Sequence, residues 1–478
     1  MNQSEILEFI DNQFRLPSLS SYELKKIPGK TRARIRGPHI ASSSTIYIDV
    51  TDTDSCPIVT GIQKVARKIV QSFVEDKVTF ELIRYDFDIN GFVVLTDIEK
   101  RQFLERMNPT SGPMQRAPGI RTFANDLLYK VLRFVSRSLS SSLNSLSEVG
   151  LFSELKEGLE GAKPGIVRKI RMRKKRCFDL VPLKPIDGMK ILLPELIYEK
   201  GRADQYLAMK RFFNVQLSVI LYDLIPIYHP ELVEVSREFL NYMRIVRISD
   251  KVIAISEYSA DQVKFYLDGW KRENAVAIPK VESLYLPFVR HTDIESRDKF
   301  KVPTFVYVST IEPRKNHLRL ALAAEKLKND GYQFEILCIG KVGWVEEEFW
   351  KKISGLQKKG VPIRFMHNVG DKELEDILLR SWCAVYPSLV EGFGLPIIEA
   401  NEFSLPVITS NNSAMRDVCS NFVKTYYLVE PGSVESISQA MQDFLDCTTQ
   451  KFQLNQQIGE NAASWKDYSR SVYKSVLT

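Results

Sequence analysis

Tyr386-Pro387-Ser388-Leu389-Val390-Glu391-Gly392-Phe393-Gly394-Leu395-Pro396-Ile397-Ile398-Glu399-Ala400 is the stretch on which the reading of this chain turns. A buried apolar run ends at Tyr386, a Gly-x-Gly loop follows at Gly392 and Gly394, and Pro396 stands where the first turn of a helix would begin. The glycines let the backbone approach a ligand closely, and the helix entrance offers unpaired N–H groups to an anion. Glu391 and Glu399 then face one crevice from different depths. An ordinary strand, turn and helix with surface acids would also carry this pattern. What decides against that is a second loop, Ser309-Thr310-Ile311-Glu312-Pro313-Arg314-Lys315-Asn316, again directly after a strand-like run. Adjacent Arg314 and Lys315 can neutralise a diphosphate through charge-assisted hydrogen bonds of about 1.5–3 kcal/mol each.

Outward from these loops, short apolar runs alternate with amphipathic helical stretches between about residues 300 and 445. Strands are predicted at Phe305 to Val308, Phe334 to Ile339, Ile363 to Met366, Cys383 to Tyr386 and Pro406 to Thr409. Helices are expected from about Leu318 to Lys328 and around 396–403. This rhythm predicts a parallel sheet covered on both faces, with ligands held beyond the carboxyl ends of its strands. A looser version runs through 45–280, with strands at Ile46 to Val50, Thr79 to Arg84, Ile191 to Leu193, Leu217 to Leu221 and Val252 to Ile255. The expected fold class is α/β, with two doubly wound Rossmann-like domains. Residues 1–43 read as an irregular extension, 44–285 as the first domain, 300–455 as the second and 456–478 as a terminal helix.

An insertion at about 96–187 interrupts the first domain. Its apolar stripe (Phe123, Leu127, Leu128, Val131, Leu132, Val135, Leu139) recurs at helical spacing, and eight basic residues crowd positions 163–176. Stripe and basic cluster together suggest that 121–176 meets an anionic membrane surface, although a solvated basic loop would read the same way. Nucleic acid is the weaker partner, because the cluster lacks interleaved aromatics. The formal charge of +7 on 478 residues, 44% of them hydrophobic, describes a globular chain and does not choose a partner by itself. None of the six cysteines forms a C-x-x-C pair, and the five histidines lack metal-ligand spacing. Met1 to Arg15 carries three acids and no long apolar run, and no stretch reaches the ~18 apolar residues of a span. A cytoplasmic protein is expected, attached at most to the inner face of the plasma membrane.

These two loops together resemble family 4 glycosyltransferases of the GT-B fold, whose active site lies in the cleft between two Rossmann-like domains. Glu391 and Glu399 match that family's Glu-x7-Glu motif, and Arg314 with Lys315 its basic phosphate loop. The resemblance implies that Glu391 meets donor-sugar hydroxyls and Glu399 the nucleotide ribose. It places Gly392, Phe393, Gly394, Leu395 and Thr310 at the donor. In the first domain Thr60-Gly61-Ile62-Gln63-Lys64-Val65 resembles the Gly-rich turn of members that build bacterial surface polysaccharides. Tyr222-Asp223 resembles their cleft loop, and Trp465 to Val476 a helix returning to the first domain. Gly61, Ile62, Gln63 and Tyr222 are then acceptor or cleft residues, and Asp223 is either a catalytic cleft residue or a loop-capping acid. Two departures stand out: Ser309-Thr310 where many relatives carry Gly-Arg, and Tyr222 where many carry histidine.

The implied activity is retaining transfer from a nucleotide sugar, with GDP-mannose the first choice and dTDP-rhamnose another. The acceptor is a glycan or lipid-linked glycan, and no cofactor or metal is expected. A catalytically silent scaffolding subunit is the alternative. Paired carboxylates also suggest a glycosidase, but eight residues of helix rise about 12 Å, more than a hydrolase pair requires. Asp52-Thr53-Asp54 and Asp86-Phe87-Asp88 have the Asp-x-Asp form of metal-dependent transferases, a string common by chance.

Overall fold

Short β-branched and aromatic runs form strands buried along most of their length, which is the signature of sheets covered on both faces. The computed structural model describes residues 37–55, 61–87, 89–105, 180–233, 239–274, 277–287, 298–446, 453–454 and 464–478. The first half contributes β1 (His39–Ile40), β2 (Ile46–Asp49), α1 (Thr51–Ser55), α2 (Gly61–Glu75), β3 (Phe80–Asp86), β4 (Gly91–Val94) and α3 (Asp97–Glu105). After these come β5 (Val181–Lys184), β6 (Lys190–Leu193), α4 (Lys200–Phe213), β7 (Gln216–Leu221), α5 (Ile225–Tyr228), α6 (Phe239–Ile248), β8 (Lys251–Ala254), α7 (Glu257–Asn274) and β9 (Lys280–Ser283). They build a nine-stranded sheet in the order β1-β5-β4-β3-β2-β6-β7-β8-β9. Its strands run parallel except where β4 pairs antiparallel with β3 and β5.

The second half supplies β10 (Thr304–Val308), α8 (His317–Asn329), β11 (Glu335–Ile339), α9 (Glu347–Lys358), β12 (Ile363–Met366), α10 (Asp371–Arg380) and β13 (Cys383–Tyr386). It continues with α11 (Leu395–Glu402), β14 (Val407–Ser410), α12 (Ser413–Phe422), β15 (Thr425–Val429), α13 (Val434–Leu445) and β16 (Gln453–Leu454). Strand order is β12-β11-β10-β13-β14-β15-β16, parallel except for the last pair. Counted from β10, the first six strands lie in the 3-2-1-4-5-6 order, so the chain reverses direction across the sheet between β10 and β13. The loops after those two strands are the ones that carry Arg314-Lys315 and the glycine string. The first sheet reverses likewise between β2 and β6.

Helix α14 (Trp465–Leu477) returns to the first sheet and packs on α2. A capping box fixes its start, with Ser464 Oγ accepting from the Asp467 N–H and Asp467 accepting from the Ser464 N–H. Tyr473 meets Phe73 edge-on at 5.8 Å, and Arg470 pairs with Asp76 at 2.7 Å.

Two elements expected inside the insertion, α3 and β5, belong to the first fold instead. Pro182 lowers the strand signal of β5, and the strand is accepted one place from the sheet edge. The stripe and basic cluster of 121–176 lie outside the described residues, as do Cys56, Cys177 and Cys447; Cys338, Cys383 and Cys419 are buried free thiols. No helix among the described residues is long and apolar enough to cross a membrane.

Candidate active site at the switch point of the second sheet

After β10 the chain makes one turn of 3-10 helix at Pro313–Lys315 and then enters the left-handed region at Asn316, φ 64°. Asn316 spends its amide on two other loops, donating to the Pro387 carbonyl at 2.8 Å and the Pro431 carbonyl at 2.7 Å. Leu389 N–H donates to the Arg314 carbonyl at 2.7 Å, and Tyr307 Oη to the Lys315 carbonyl at 2.6 Å. The basic turn and the glycine loop are therefore sewn together by backbone and amide bonds, leaving their side chains free to face the crevice. Gly394, φ 97°, opens α11, and no side chain caps that helix entrance.

The charges meet at Glu391. Arg314 Nη1 lies 2.6 Å from Glu391 Oε2, and Lys315 Nζ bonds Glu391 Oε1. Arg314 Nε also pairs with Glu312 at 2.6 Å. Burial by itself would push the Glu391 carboxyl up, but Arg314 and Lys315 together outweigh it and hold it at about 2. Burial pushes Lys315 down, an effect Glu391 only partly offsets. His317, behind the pair, is pushed down to about 3 by burial and then by Lys315, so it is neutral near pH 7. Its ring stacks on Tyr307 at 4.6 Å, with Nε2 3.2 Å from Ser309 Oγ. Two nearly buried cations on one carboxylate form an electrostatic device in which an entering diphosphate can compete for the cations.

The first sheet closes on this loop. Ser256 Oγ donates to the Gly392 carbonyl at 2.7 Å and Ser259 Oγ to the Tyr222 carbonyl at 3.0 Å. A Cβ on Gly392 would stand 2.5 Å from the Tyr222 oxygen and 2.7 Å from Asp223 Cβ, so only glycine permits the approach. Asp223 accepts from the Ile225 N–H at 3.0 Å, capping the turn into α5, and burial raises its carboxyl. Tyr222 Oη donates to the Pro194 carbonyl at 2.8 Å. Gly61 at the start of α2 lies against Leu395, and Lys64 one turn on reaches Glu399 at 2.9 Å.

Residues 290–465 match the family described as Glycosyl transferases group 1. That stretch carries every strand of the second sheet. The chain is 25% identical over 243 residues to the Serotype-specific mannosyltransferase WbdA of Escherichia coli, covering 47% of this chain and 29% of that protein. It is 32% identical over 143 residues to the O-antigen chain mannosyltransferase B of Escherichia coli, covering 29% of this chain and 36% of that protein. The chain thus spans well under half the length of these relatives. Among solved structures, Anabaena Alr3699/HepE in complex with UDP and glucose superposes with a TM-score of 0.52 at 13% identity, over 91% of this chain and 99% of that one. That likeness concerns the fold, which is GT-B: two Rossmann-like sheets across a cleft.

Within the matched residues Arg314, Lys315 and Glu391 are in direct contact, and Gly392 stands against Asp223 and Tyr222 of the first half. Glu399 instead faces Lys64. The Phe393 ring points into the interior, 6.3 Å from Tyr285 and 6.5 Å from Phe422, so only its backbone lies along the loop. Thr310 is exposed at the crevice, while Ile62 and Gln63 are half-buried on α2. Of the Asp-x-Asp strings, Asp52 lies 3.7 Å from Arg202 and Asp54 3.5 Å from Arg84, and Asp88 is outside the described residues. Four contributors have no individual role in the sequence reading: Asn316, Gly340, Lys64 and Ser256. Gly340, φ 156°, leaves only 1.9 Å between a would-be Cβ and the Ser309 oxygen, and a glycine directly after a buried strand was its available signal. Lys64 lies within the Gly-rich turn, but its partner Glu399 is distant in sequence, as is Gly392, the partner of Ser256.

Proposed function

We propose that this chain transfers a hexosyl group, mannose from GDP-mannose as the first choice, to a glycan or lipid-linked acceptor in bacterial surface polysaccharide synthesis, with retention of anomeric configuration. The observation that carries the reading is Glu391 held between Arg314 and Lys315 at the switch point, beside an uncapped helix entrance. As the bond from sugar to phosphate breaks, the sugar becomes oxocarbenium-like and the departing diphosphate gains negative charge. Arg314, Lys315 and the N–H groups at the start of α11 stabilise that charge, and Glu391 orients donor hydroxyls. The acceptor hydroxyl attacks from the leaving-group face and passes its proton to the departing phosphate, so no side chain acts as covalent nucleophile. The mannosyltransferase names of the relatives support the sugar, and family likeness supports retention. The two cations support transfer without a divalent ion, and the arginine partners of Asp52 and Asp54 are consistent with that.

The test is a panel of nucleotide sugars read by thermal shift, since a bound donor raises the melting temperature by mass action. Transfer from the best donor is then followed in excess chelator, with the product's anomeric configuration read by NMR. Stabilisation by GDP-mannose and a retained product in chelator are expected. Activity lost to chelator and restored by manganese would overturn the metal-independent account, and an inverted product the retaining one.

A further inference from the structure

A groove of about 530 Å³ opens between α7 of the first sheet and the start of α12 of the second. Tyr258, Asp261, Gln262 and Phe265 recur at helical spacing along one face of α7 and form one wall with Tyr228. Phe265 is 67% exposed, a large ring left in solvent, and it lies 6.4 Å from the Tyr228 ring. Tyr228 Oη is anchored to the Gln262 carbonyl at 3.1 Å, and Gln262 Nε2 donates to Tyr258 Oη at 2.9 Å, so the rings are held in place. Asn412, Ser413, Arg416 and Asp417 form the opposite wall.

That second wall is bonded to the catalytic loop. Asn412 Nδ2 donates to the Leu389 carbonyl at 2.7 Å, and the Glu391 N–H donates to Ser413 Oγ at 3.2 Å. The groove therefore lies on the β14 side of the glycine loop, away from the basic turn that follows β10. We propose that it is a subsite for the non-reacting sugars of a neutral glycan acceptor, a proposal that rests on the glycosyltransferase reading above. A pyranose ring offers an apolar C–H face to aromatic rings and a rim of hydroxyls to amides, hydroxyls and charges. This groove supplies an aromatic wall opposite a polar one, in the ~300–1,000 Å³ range of ligand sites. Asp417 lies 3.8 Å from Arg416 and Asp261 3.3 Å from Lys264, so the charges at the groove are paired and offer no surplus cation to a nucleotide or phospholipid headgroup. Because its walls come from both sheets, the groove binds only while the cleft is assembled, and an occupant bears directly on the loop that carries Glu391.

The experiment titrates the full chain by calorimetry with tetrasaccharides of α-linked mannose and of α-linked rhamnose, comparing wild type with Phe265→Ala, Phe265→Trp and Arg416→Ala. At least one tetrasaccharide is expected to bind wild type, with affinity lowered about tenfold in Phe265→Ala and retained in Phe265→Trp. In transfer assays Phe265→Ala raises KM for the tetrasaccharide acceptor by a similar factor. It leaves KM for GDP-mannose and for a monosaccharide glycoside acceptor unchanged. Absence of tetrasaccharide binding by wild type, or wild-type binding by Phe265→Ala, would overturn the subsite. Phe265-dependent glycan binding without any nucleotide-sugar binding would instead sink the donor reading and leave the subsite standing.

Discussion

At the crevice between β2 and β6 a single guanidinium serves four carboxylates, whereas at the crevice between β10 and β13 two cations serve two, Glu391 and Glu312. Arg202 is fully buried, 2.7 Å from Asp49, 3.6 Å from Glu195 and 3.7 Å from both Asp52 and Glu199. Glu195 there accepts the N–H groups of Asp52 and Thr53 at 2.8 and 2.6 Å, yet burial, with Asp49 alongside, pushes its carboxyl up to about 7. Glu391, buried to a similar degree, is held at about 2. The same residue type, a glutamate in the loop after β6 of one sheet and after β13 of the other, is therefore shifted in opposite directions. The ratio of cations to carboxylates decides the outcome. An acid-rich crevice retains protons and ties its own loops together; one whose cations match its carboxylates is suited to a ligand that brings negative charge.

The largest effect belongs to the crevice of the second sheet, where Arg314 and Lys315 lie. Lys315→Ala and Glu391→Ala should each lower turnover at least ~100-fold, the loss typical of one preorganised electrostatic partner, with the circular dichroism spectrum unchanged. Wild-type rates in either variant would remove that residue from the site.

The acid-rich crevice should reveal itself in stability rather than turnover. The carboxyl of Glu195 ordinarily titrates near 4.5 and in the folded chain near 7, so between these values the folded state holds a proton that the unfolded chain has lost. Its contribution to stability is complete below pH 4.5 and lost as pH rises through 7, on the order of a few kcal/mol. Glu391 runs the other way, contributing above about pH 4.5 and losing its contribution as pH falls toward 2. Denaturant titrations of Glu195→Gln should therefore lack most of the wild-type decline between pH 4.5 and 7. An unchanged pH slope would show that this carboxylate does not hold its proton.

The smallest effect is expected at Lys64 and Glu399, the ion pair that joins α2 to α11. Both side chains are partly exposed, so Lys64→Ala should cost no more than ~1 kcal/mol in the unfolding free energy measured in urea. A much larger loss would mean that this contact holds the cleft closed.

How much of this was legible beforehand follows the distance between partners in the chain. Arg314-Lys315 and Glu391-Gly392 could be read because each pair is contiguous and directly follows a strand. The parallel, doubly covered sheet that joins them could be inferred from the alternation of runs. Arg202 could not be read: its partners come from β2, the start of α1 and the loop after β6, and a lone arginine in an amphipathic helix looks like a solvated one. Asp52-Thr53-Asp54 suggested a metal string because spacing does not reveal the arginine beside each carboxylate. Tyr222 and Asp223 were ambiguous for a related reason, since their environment is set by Gly392, far along the chain.

The central claim is that Arg314 and Lys315 exist to hold a diphosphate, and calorimetric titration of GDP and guanosine into wild type and Lys315→Ala tests it most directly. The account predicts that the variant loses roughly ten- to a hundredfold in affinity for GDP while guanosine binds both proteins equally. An unchanged preference for GDP over guanosine in Lys315→Ala would contradict it.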